Sequence, residues 1–264
     1  MCPSSRFRGL VRNVKAQKNF GLTLVTGTSG GIGSAVVRRL AQESDEIALV
    51  YRSTSPDELK RDLGSKLVFA ESWDLTDDSM VADGVARLTD QVGPVRTVVH
   101  AAGPHVPMIH LSKVEPKVFG AQLRQDVEPS FNLAHAVLPA LRQTAGSLTF
   151  ITTAATRRYP VRDGLSAAPK GAVEALARGL AAEEGRFGIR VNCVGPGMLV
   201  DGMAARLIGN GDLDGNALEI AKNNIPLRCF GTASDIAEAV AYLASDAARF
   251  VTGQKLDIDG GYGI

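Results

Sequence analysis

A serine and a lysine stand one helical turn apart in the segment DGLSAAPKGAV, residues 163–173. Ser166 and Lys170 share a face of any helix that includes both, since residues four apart lie one above the other. A hydroxyl and an ammonium group in that arrangement can hold an oxygen atom and relay a proton through a bound water. Proline is tolerated in the first turn of a helix, so Pro169 predicts a helix that starts near Ala167, with Lys170 in its opening turn. The segment is either part of an active site or an ordinary helix start.

The segment VTGTSGGIGSAVV carries three glycines between an apolar run and a helical pattern. Gly27, Gly31 and Gly33 follow the spacing G-x-x-x-G-x-G, a variant of the dinucleotide-binding fingerprint. Glycine permits a tight turn and a close approach of backbone to a pyrophosphate, and the helix start behind it offers free N–H groups and a positive dipole end. The residues expected to bind a dinucleotide cofactor here are Gly27, Thr28, Ser29, Gly31, Ile32 and Gly33.

The end of the second apolar run indicates which cofactor this is. A site for NAD(H) usually has Asp or Glu there, about 20 residues past the glycines, to bind the ribose hydroxyls. This chain reads VYRSTS, with Arg52 and Ser53 and no carboxylate until Asp57. A guanidinium group pairs well with a 2′-phosphate. The sequence therefore favours NADP(H) over NAD(H), although an arginine at this point can also be an ordinary surface residue.

Apolar, strand-like runs alternate with helical patterns along the chain. The runs lie at 22–27, 46–51, 66–70, 96–103, 147–152, 189–194 and 254–259, and the main helical patterns at 116–143, 167–186 and 233–245. This alternation predicts right-handed βαβ crossovers and a parallel sheet covered on both faces. We expect an α/β fold, a Rossmann-type doubly wound parallel sheet in three layers, as a single domain over 20–264. Residues 1–19 are expected to be a flexible extension, and the irregular segment 198–232 a lid or binding loop.

The composition excludes several classes of function. The chain has 264 residues, 45% of them hydrophobic, and a net charge of +1, which gives no electrostatic reason to expect nucleic acid or an anionic membrane as partner. No apolar run approaches the roughly 20 residues needed to span a bilayer. Three cysteines and four histidines show no disulfide framework and no metal-ligand spacing. We expect a cytoplasmic protein without a metal.

These motifs together resemble the short-chain dehydrogenase/reductase family, particularly its β-ketoacyl-carrier-protein-reductase-like members, over about residues 20–264. The matching segments are TGTSGGIG at 26–33, Asp74 with Leu75, HAAG at 100–103, IRVNCVGPG at 189–197 and FVTGQKLDIDGGYG at 250–263. The resemblance implies further cofactor contacts from Asp74, Leu75, Ala101, Ala102, Gly103, Lys170, Pro196 and Gly197. It also implies a homotetramer, with a dimer as the alternative, built through the helices at 116–143 and 167–186. The chain departs from the family at Asp201, where the nicotinamide-side loop usually has threonine.

The resemblance implies a catalytic set of Asn, Ser, Tyr and Lys, in which the tyrosine protonates the carbonyl oxygen as hydride arrives from the nicotinamide. Thr153 stands at the serine position and Asp126 at the asparagine position. Ser166 stands at the tyrosine position, and Lys170 matches the lysine. A serine alcohol is far less acidic than a phenol with a pKa of about 10. The expected catalytic residues are thus Thr153, Ser166, Lys170 and Asp126, with the family's acid missing.

Three sources of the catalytic proton remain open. A water could bridge Ser166, Thr153 and Lys170 and relay a proton. Tyr159, in the loop TRRYPVRDG, could act as a substitute acid or simply line the rim. Asp126 could face Lys170, either as an acid/base couple or as a structural ion pair.

The loops near the expected site carry other charged groups. His105 and His110 follow the HAAG segment and are either acid/base candidates or solvated loop histidines. Arg157, Arg158 and Arg162 make the loop after the fifth strand basic. That charge would suit an anionic substrate, such as a carboxylate or a carrier-bound phosphopantetheine, and it would equally suit an ordinary solvated loop.

Three functions are compatible with these residues. The favoured one is an NADP(H)-dependent oxidoreductase that acts on a carbonyl or alcohol in a small-molecule or carrier-bound substrate, with an altered set of catalytic residues. The second is a non-redox enzyme, such as a lyase or cyclase, on the same scaffold. The third is a catalytically inactive nucleotide-binding protein or partner subunit.

Overall fold

Seven parallel strands form the centre of the computed structural model, which describes residues 20–104, 106–201 and 215–264. The strands are β1 (Thr23–Thr26), β2 (Ile47–Tyr51), β3 (Leu67–Ser72), β4 (Thr97–His100), β5 (Ser147–Ile151), β6 (Arg190–Pro196) and β7 (Lys255–Ile258). Their order across the sheet is β3-β2-β1-β4-β5-β6-β7. The predicted extension at 1–19, His105 and residues 202–214 of the predicted binding loop lie outside the described residues.

The central strands are buried because helices cover both faces of the sheet. The four residues of β1 and the four of β4 are all buried, as are the five of β5. Burial along the whole length of a strand is typical of parallel sheets that are covered on both faces. The strand order reverses at β1 and β4, where the chain leaves β1 in one direction and returns to the other side. Ligands bind at such a switch point, outside the carboxyl ends of the strands.

The helices form two layers, and each layer packs against the sheet through its own hydrophobic cluster. The helices are α1 (Gly31–Leu40), α2 (Asp57–Leu63), α3 (Asp78–Gln91), α4 (Pro116–Thr144), α5 (Gly164–Glu184), α6 (Gly215–Asn223) and α7 (Ala233–Ala244). One cluster joins the sheet to α1, α2 and α7, and the other joins it to α3, α4 and α5. The predicted three-layer, doubly wound α/β fold is confirmed. None of the helices in the described ranges has a stretch long and apolar enough to cross a bilayer.

The predicted start of α5 was wrong by three residues. The helix begins at Gly164, because the carbonyl of Asp163 accepts hydrogen bonds from the N–H groups of both Ser166 and Ala167 and closes the first turn before the proline. Pro169 is therefore inside the helix, where its missing N–H costs one backbone hydrogen bond. Helix α4 contains two internal prolines as well. Tertiary packing overrides the local preference in both helices, and the lysine at 170 lies in the second turn rather than the first.

Candidate active site

Gly27 follows β1 in a conformation that requires glycine. Its φ is +74°, and a Cβ atom there would lie 2.5 Å from the backbone nitrogen of Ala102. A Cβ atom on Gly33, in the first turn of α1, would lie 2.2 Å from the carbonyl oxygen of Gly27. Any side chain at these two positions would push the turn away from α1 or from the loop after β4. Both glycines are needed for close packing of the turn.

The start of α1 presents open backbone donors. Gly30 is its N-cap, and the N–H of Ser34 is the first to donate back to it, at 2.9 Å. Among the described residues, the N–H groups of Gly31, Ile32 and Gly33 donate no hydrogen bond. A Cβ atom on Gly31 would meet nothing within 4 Å, so the space beside these donors is open. Open N–H groups at a helix start, next to open space, fit a pyrophosphate.

Thr28 and Ser29 attach the glycine turn to the end of β2. Thr28 is buried, and its hydroxyl donates to the carbonyl of Val50 at 3.2 Å. The hydroxyl of Ser29 donates to the carbonyl of Thr54. These side chains position the turn, and their predicted contacts with a cofactor stay predictions.

Arg52 and Ser53 lie exposed just beyond the end of β2, as the sequence predicted. The guanidinium of Arg52 makes no hydrogen bond or ion pair within the described residues, although Asp74 attracts it electrostatically. The carboxylate of Asp74 accepts hydrogen bonds from the hydroxyl of Thr76 at 2.7 Å and from its N–H at 3.0 Å. Those bonds, helped by the charge of Arg52, hold the pKa of Asp74 below its usual value. A basic group and an ionised carboxylate thus flank the adenosine end of the predicted cofactor site.

The loop after β4 joins the cofactor half to the catalytic half. The N–H of Ala101 donates to the carbonyl of Thr26 at 3.2 Å, which continues the sheet pattern past the strand end. A Cβ atom on Gly103 would lie 3.4 Å from Nζ of Lys170. His100 is buried at the end of β4, where its Nδ1 lies 2.8 Å from the hydroxyl of Thr26. Burial, with the charge of Lys170 nearby, lowers the pKa of His100 to about 3, so this imidazole is neutral.

Lys170 and Asp126 meet in a buried ion pair between α5 and α4. Nζ of Lys170 lies 2.7 Å from Oδ1 of Asp126, and their side chains are 12% and 2% exposed. The approach is close, but its angles are not those of a hydrogen bond, so Oδ1 still lacks a donor among the described residues. Asp126 therefore faces Lys170, which is one of the arrangements that the sequence allowed. Both groups keep hydrogen-bonding capacity for a water or a ligand.

Thr153 and Ser166 supply two hydroxyl groups at the same end of the sheet as this pair. Thr153 follows β5, is half-buried, and its oxygen accepts the N–H of Ala155 at 3.2 Å. Ser166 is also half-buried, on the same face of α5 as Lys170. Its hydroxyl makes no hydrogen bond to any described residue. The structure therefore brings all four predicted catalytic residues to the carboxyl edge of the sheet.

The edge near β6 is closed by backbone contacts. Pro196 ends β6, and the N–H of Gly197 donates to the carbonyl of Ile258 at 2.9 Å. The carboxylate of Asp201 accepts the N–H of Ala233, at the start of α7, at 2.6 Å. The family usually has a threonine at this position. In this chain Asp201 instead caps the start of α7.

Comparison with known proteins agrees with this geometry. A family model described as Enoyl-(Acyl carrier protein) reductase matches residues 27–263. The chain belongs to the short-chain dehydrogenase/reductase family. It is 30% identical over 243 residues to the 3-oxoacyl-[acyl-carrier-protein] reductase FabG of Staphylococcus epidermidis, covering 90% of this chain and 97% of that protein. It is 31% identical to the peroxisomal 2,4-dienoyl-CoA reductase SPS19 of Saccharomyces cerevisiae, covering 91% of this chain and 83% of that protein.

Two solved structures are similar over most of the fold. A short-chain type dehydrogenase/reductase from Mycobacterium ulcerans is 26% identical, with a TM-score of 0.83 over 92% of this chain and 89% of that one. A blue fluorescent protein from a metagenomic library, in complex with NADPH, is 30% identical, also with a TM-score of 0.83, over 94% of this chain and 100% of that one. The short-chain family uses a nicotinamide cofactor, and the glycine turn and open start of α1 fit one here.

Tyr159 packs against the start of α5 rather than standing free. Its side chain is 50% exposed, and its hydroxyl lies 2.5 Å from where a Cβ atom on Gly164 would be. Gly164 keeps this contact possible, because any side chain there would displace the tyrosine. Tyr159 thus lies at the rim, seven residues before Ser166 along the chain, and its role as a substitute acid stays a prediction.

In the basic loop after β5, two of the three arginines donate hydrogen bonds to backbone carbonyl groups. Arg158 donates to the carbonyl of Tyr262 at 2.9 Å, and Arg162 donates twice to the carbonyl of Met108. Arg157 lies 4.0 Å from Asp257 and is 60% exposed. These contacts tie the loop to the chain terminus and to the loop after β4. Its charge is therefore mainly structural, and Arg157 is the arginine of the three whose side chain donates to no backbone carbonyl of a described residue. His110, which the sequence left open as an acid/base candidate or a solvated loop histidine, is exposed.

Two polar residues near the site escaped the sequence-based prediction. Asp163 is the N-cap of α5, yet its side chain makes no capping hydrogen bond, and burial raises its pKa to about 6. It stands one turn before Ser166 on the same helix. Gln122 stands one turn before Asp126 on α4 and is buried. The i,i+3 and i,i+4 spacing could have identified both, but a polar residue at such a spacing usually faces solvent.

Proposed function

We propose that this protein is an NADP(H)-dependent reductase of acyl thioesters, acting on a carbonyl or on a carbon–carbon double bond conjugated to it. The observation that carries the proposal is that a glycine turn with an open helix start lies at the same end of the sheet as a buried Lys170–Asp126 pair. The family membership supplies the oxidoreductase class.

The preference for NADP(H) rests on the adenosine end of the site. Arg52 is exposed, without a hydrogen-bonded partner among the described residues, at the place where a 2′-phosphate would lie. Guanidinium pairs with phosphate through charge-assisted hydrogen bonds. The NADPH complex of the 30% identical blue fluorescent protein supports the same choice. Gly27, Gly31 and Gly33 would hold the pyrophosphate against α1.

The chain's own side chains define what the catalytic half can do. When bound, the nicotinamide supplies a hydride. The hydroxyl groups of Thr153 and Ser166 can hold the substrate oxygen, and Lys170 can hold the nicotinamide ribose with the N–H donors that its pairing with Asp126 leaves open. Neither hydroxyl is acidic enough to replace a phenol. The proton therefore reaches the substrate through a water held by Ser166 and Lys170.

Acyl thioesters are the proposed substrates because of the relatives' chemistry. The staphylococcal relative is a 3-oxoacyl-carrier-protein reductase, and the yeast relative reduces a dienoyl-CoA. In the first type of reaction, hydride adds to the carbonyl carbon and a proton to its oxygen. In the second, hydride adds to one alkene carbon and a proton to another carbon. Residue 166 is a serine and not a tyrosine, so no acidic hydroxyl is positioned to protonate the substrate oxygen. This favours the second type of reaction.

Turnover of NADPH tests the proposal. We expect absorbance loss at 340 nm when the protein is mixed with NADPH and either acetoacetyl-CoA or crotonyl-CoA. Lys170→Ala should lower kcat/KM by at least about 100-fold. Lys66→Ala, at the opposite end of the sheet, is the matched control and should leave the rate unchanged. A rate in Lys170→Ala equal to the wild type would contradict the role of the lysine, and no turnover with either thioester would contradict the proposed substrate class.

The assembly that we propose is a homotetramer in the cytoplasm. Helix α4 exposes Val118 and Phe131 on its outer surface, at 41% and 52%, which suits burial against a second copy. Light scattering of the purified protein measures the mass directly. A mass equal to four chains is expected, and a monomer of 27.8 kDa would contradict the assembly.

A further inference from the structure

Gln122 has a buried amide that the fold does not use. The residue is 8% exposed, and its Nε2 has no hydrogen-bond partner among the described residues. Nearly all buried polar groups in folded proteins are hydrogen-bonded, because a buried donor without an acceptor is costly. An amide kept in that state, close to a catalytic pair, indicates a partner that binds from outside the chain.

The packing of α4 and α5 places this amide beside the altered catalytic position. The two helices follow the neighbouring parallel strands β4 and β5, so both run away from the same carboxyl edge of the sheet. Asp126 on α4 contacts Lys170 on α5, which fixes the helices' register. One turn closer to the edge, the corresponding residues are Gln122 on α4 and Ser166 on α5. The unpartnered amide therefore lies on the level of the serine that stands in place of the family's tyrosine.

We propose that the Nε2 group of Gln122 donates a hydrogen bond to the substrate oxygen, taking over the binding part of the missing phenol. An amide does not give up its proton at neutral pH, so it stabilises negative charge on the oxygen without protonating it. Hydride addition to a carbonyl places charge on that oxygen, and hydride addition to a conjugated double bond places charge on the same oxygen through the enolate. The proton then comes from water, to oxygen or to carbon. This role rests on the reductase function proposed above.

Gln122→Met tests the proposal, since methionine has a similar length and no donor. Loss of one donor to a developing oxyanion should lower kcat/KM for acetoacetyl-CoA or crotonyl-CoA by about 100-fold. Removal of a buried, unpartnered amide should also raise Tm of the unliganded protein, by about 2–4 °C. Opposite changes in activity and stability are the signature of a group kept for its ligand. Gln125→Met, on the exposed side of the same helix, is the matched control and should change neither quantity.

Other outcomes overturn the proposal in recognisable ways. If Gln122→Met lowers Tm and activity together, the amide is structural. If the wild type turns over and Gln122→Met keeps full kcat/KM, the amide does not touch the substrate and only this inference fails. If the wild type oxidises no NADPH, the proposed function fails, and binding of acetoacetyl-CoA by calorimetry in the presence of NADP⁺ decides the inference separately. Equal affinity of wild type and Gln122→Met, or no binding by the wild type, would then refute it.

A crystal structure with NADP⁺ and acetoacetyl-CoA gives a readout independent of rates. An oxygen of the ligand within about 3.2 Å of Nε2 of Gln122 is expected. A well-ordered ligand whose oxygen atoms all lie away from that amide would refute the proposal.

Discussion

Replacing Lys170 by methionine should destabilise the protein strongly even before any cofactor binds. The substitution leaves the carboxylate of Asp126, which is 2% exposed, without the cation that now lies 2.7 Å away. At an effective dielectric constant of about 20, the gross attraction between two charges at that distance is about 6 kcal/mol, and much of it offsets desolvation. Removing one partner of a buried pair typically costs about 3–5 kcal/mol. Because the lysine is 12% exposed, we expect a value near 3 kcal/mol, or a fall in Tm of about 6–12 °C.

Urea unfolding of the nucleotide-free protein at pH 7 measures this cost. The double variant Asp126→Asn/Lys170→Met removes both charges and should recover at least half of the lost stability, since the unpaired carboxylate is gone. If Lys170→Met is as stable as the wild type, or if the double variant is less stable than Lys170→Met, the pair is not the buried, mutually dependent contact described above.

Three further perturbations follow from the site. Arg52→Ala should raise the Kd for NADPH, measured by calorimetry, by about 10–100-fold, because a charged hydrogen bond to the phosphate is lost. The Kd for NADH should stay unchanged. Equal losses of affinity for both nucleotides would contradict recognition of the 2′-phosphate. The folded-state pKa of His100 near 3 lies below its ordinary 6.5, so its contribution to stability is present above pH 6.5 and is lost as pH falls toward 3. His100→Asn should therefore flatten the fall in unfolding free energy between pH 6 and 4, and an unchanged slope would argue against a buried neutral imidazole. The pKa of Asp163 near 6 lies above its ordinary 3.8, so its contribution is present below pH 3.8 and is lost as pH rises through 6. Asp163→Asn should stabilise the protein by about 1–3 kcal/mol at pH 8 and not at pH 3.5, whereas a gain of the same size at both values would show that the charge is not the cause.

The parts of the fold that depend on local pattern could be predicted from the sequence. Strands and helices alternate with clear periods, and Gly33 is required by its contact with Gly27 within one β–turn–α unit, whereas the contact that requires Gly27 comes from the loop after β4. The start of α5 could not be placed in the same way. The rule that proline belongs in a first turn is a local preference, and the hydrogen bonds from the helix start to Asp163 override it.

The parts of the site that depend on distant contacts were only partly predictable. The resemblance to the family placed Asp126 and Lys170 among the catalytic candidates, but the contact between them required the packing of α4 on α5. The basic loop suggested an anion site, whereas Arg158 and Arg162 donate to carbonyl groups 104 and 54 residues away along the chain. The unused amide of Gln122 is visible only once burial is known. Sequence spacing identifies which groups share a helix face, and tertiary packing decides which of them lack a partner.

Deuterium transfer is the most direct test of the central claim that this altered site still moves hydride. The protein would be incubated with crotonyl-CoA or acetoacetyl-CoA and NADPH that carries deuterium on both hydrogens at C4 of the nicotinamide, and the thioester would be analysed by mass spectrometry. We expect one deuterium on the reduced carbon, in a product that Lys170→Ala forms far more slowly. A transformed thioester without deuterium would indicate non-redox chemistry, and unchanged thioester in the presence of bound NADPH would contradict hydride transfer to this class of substrate.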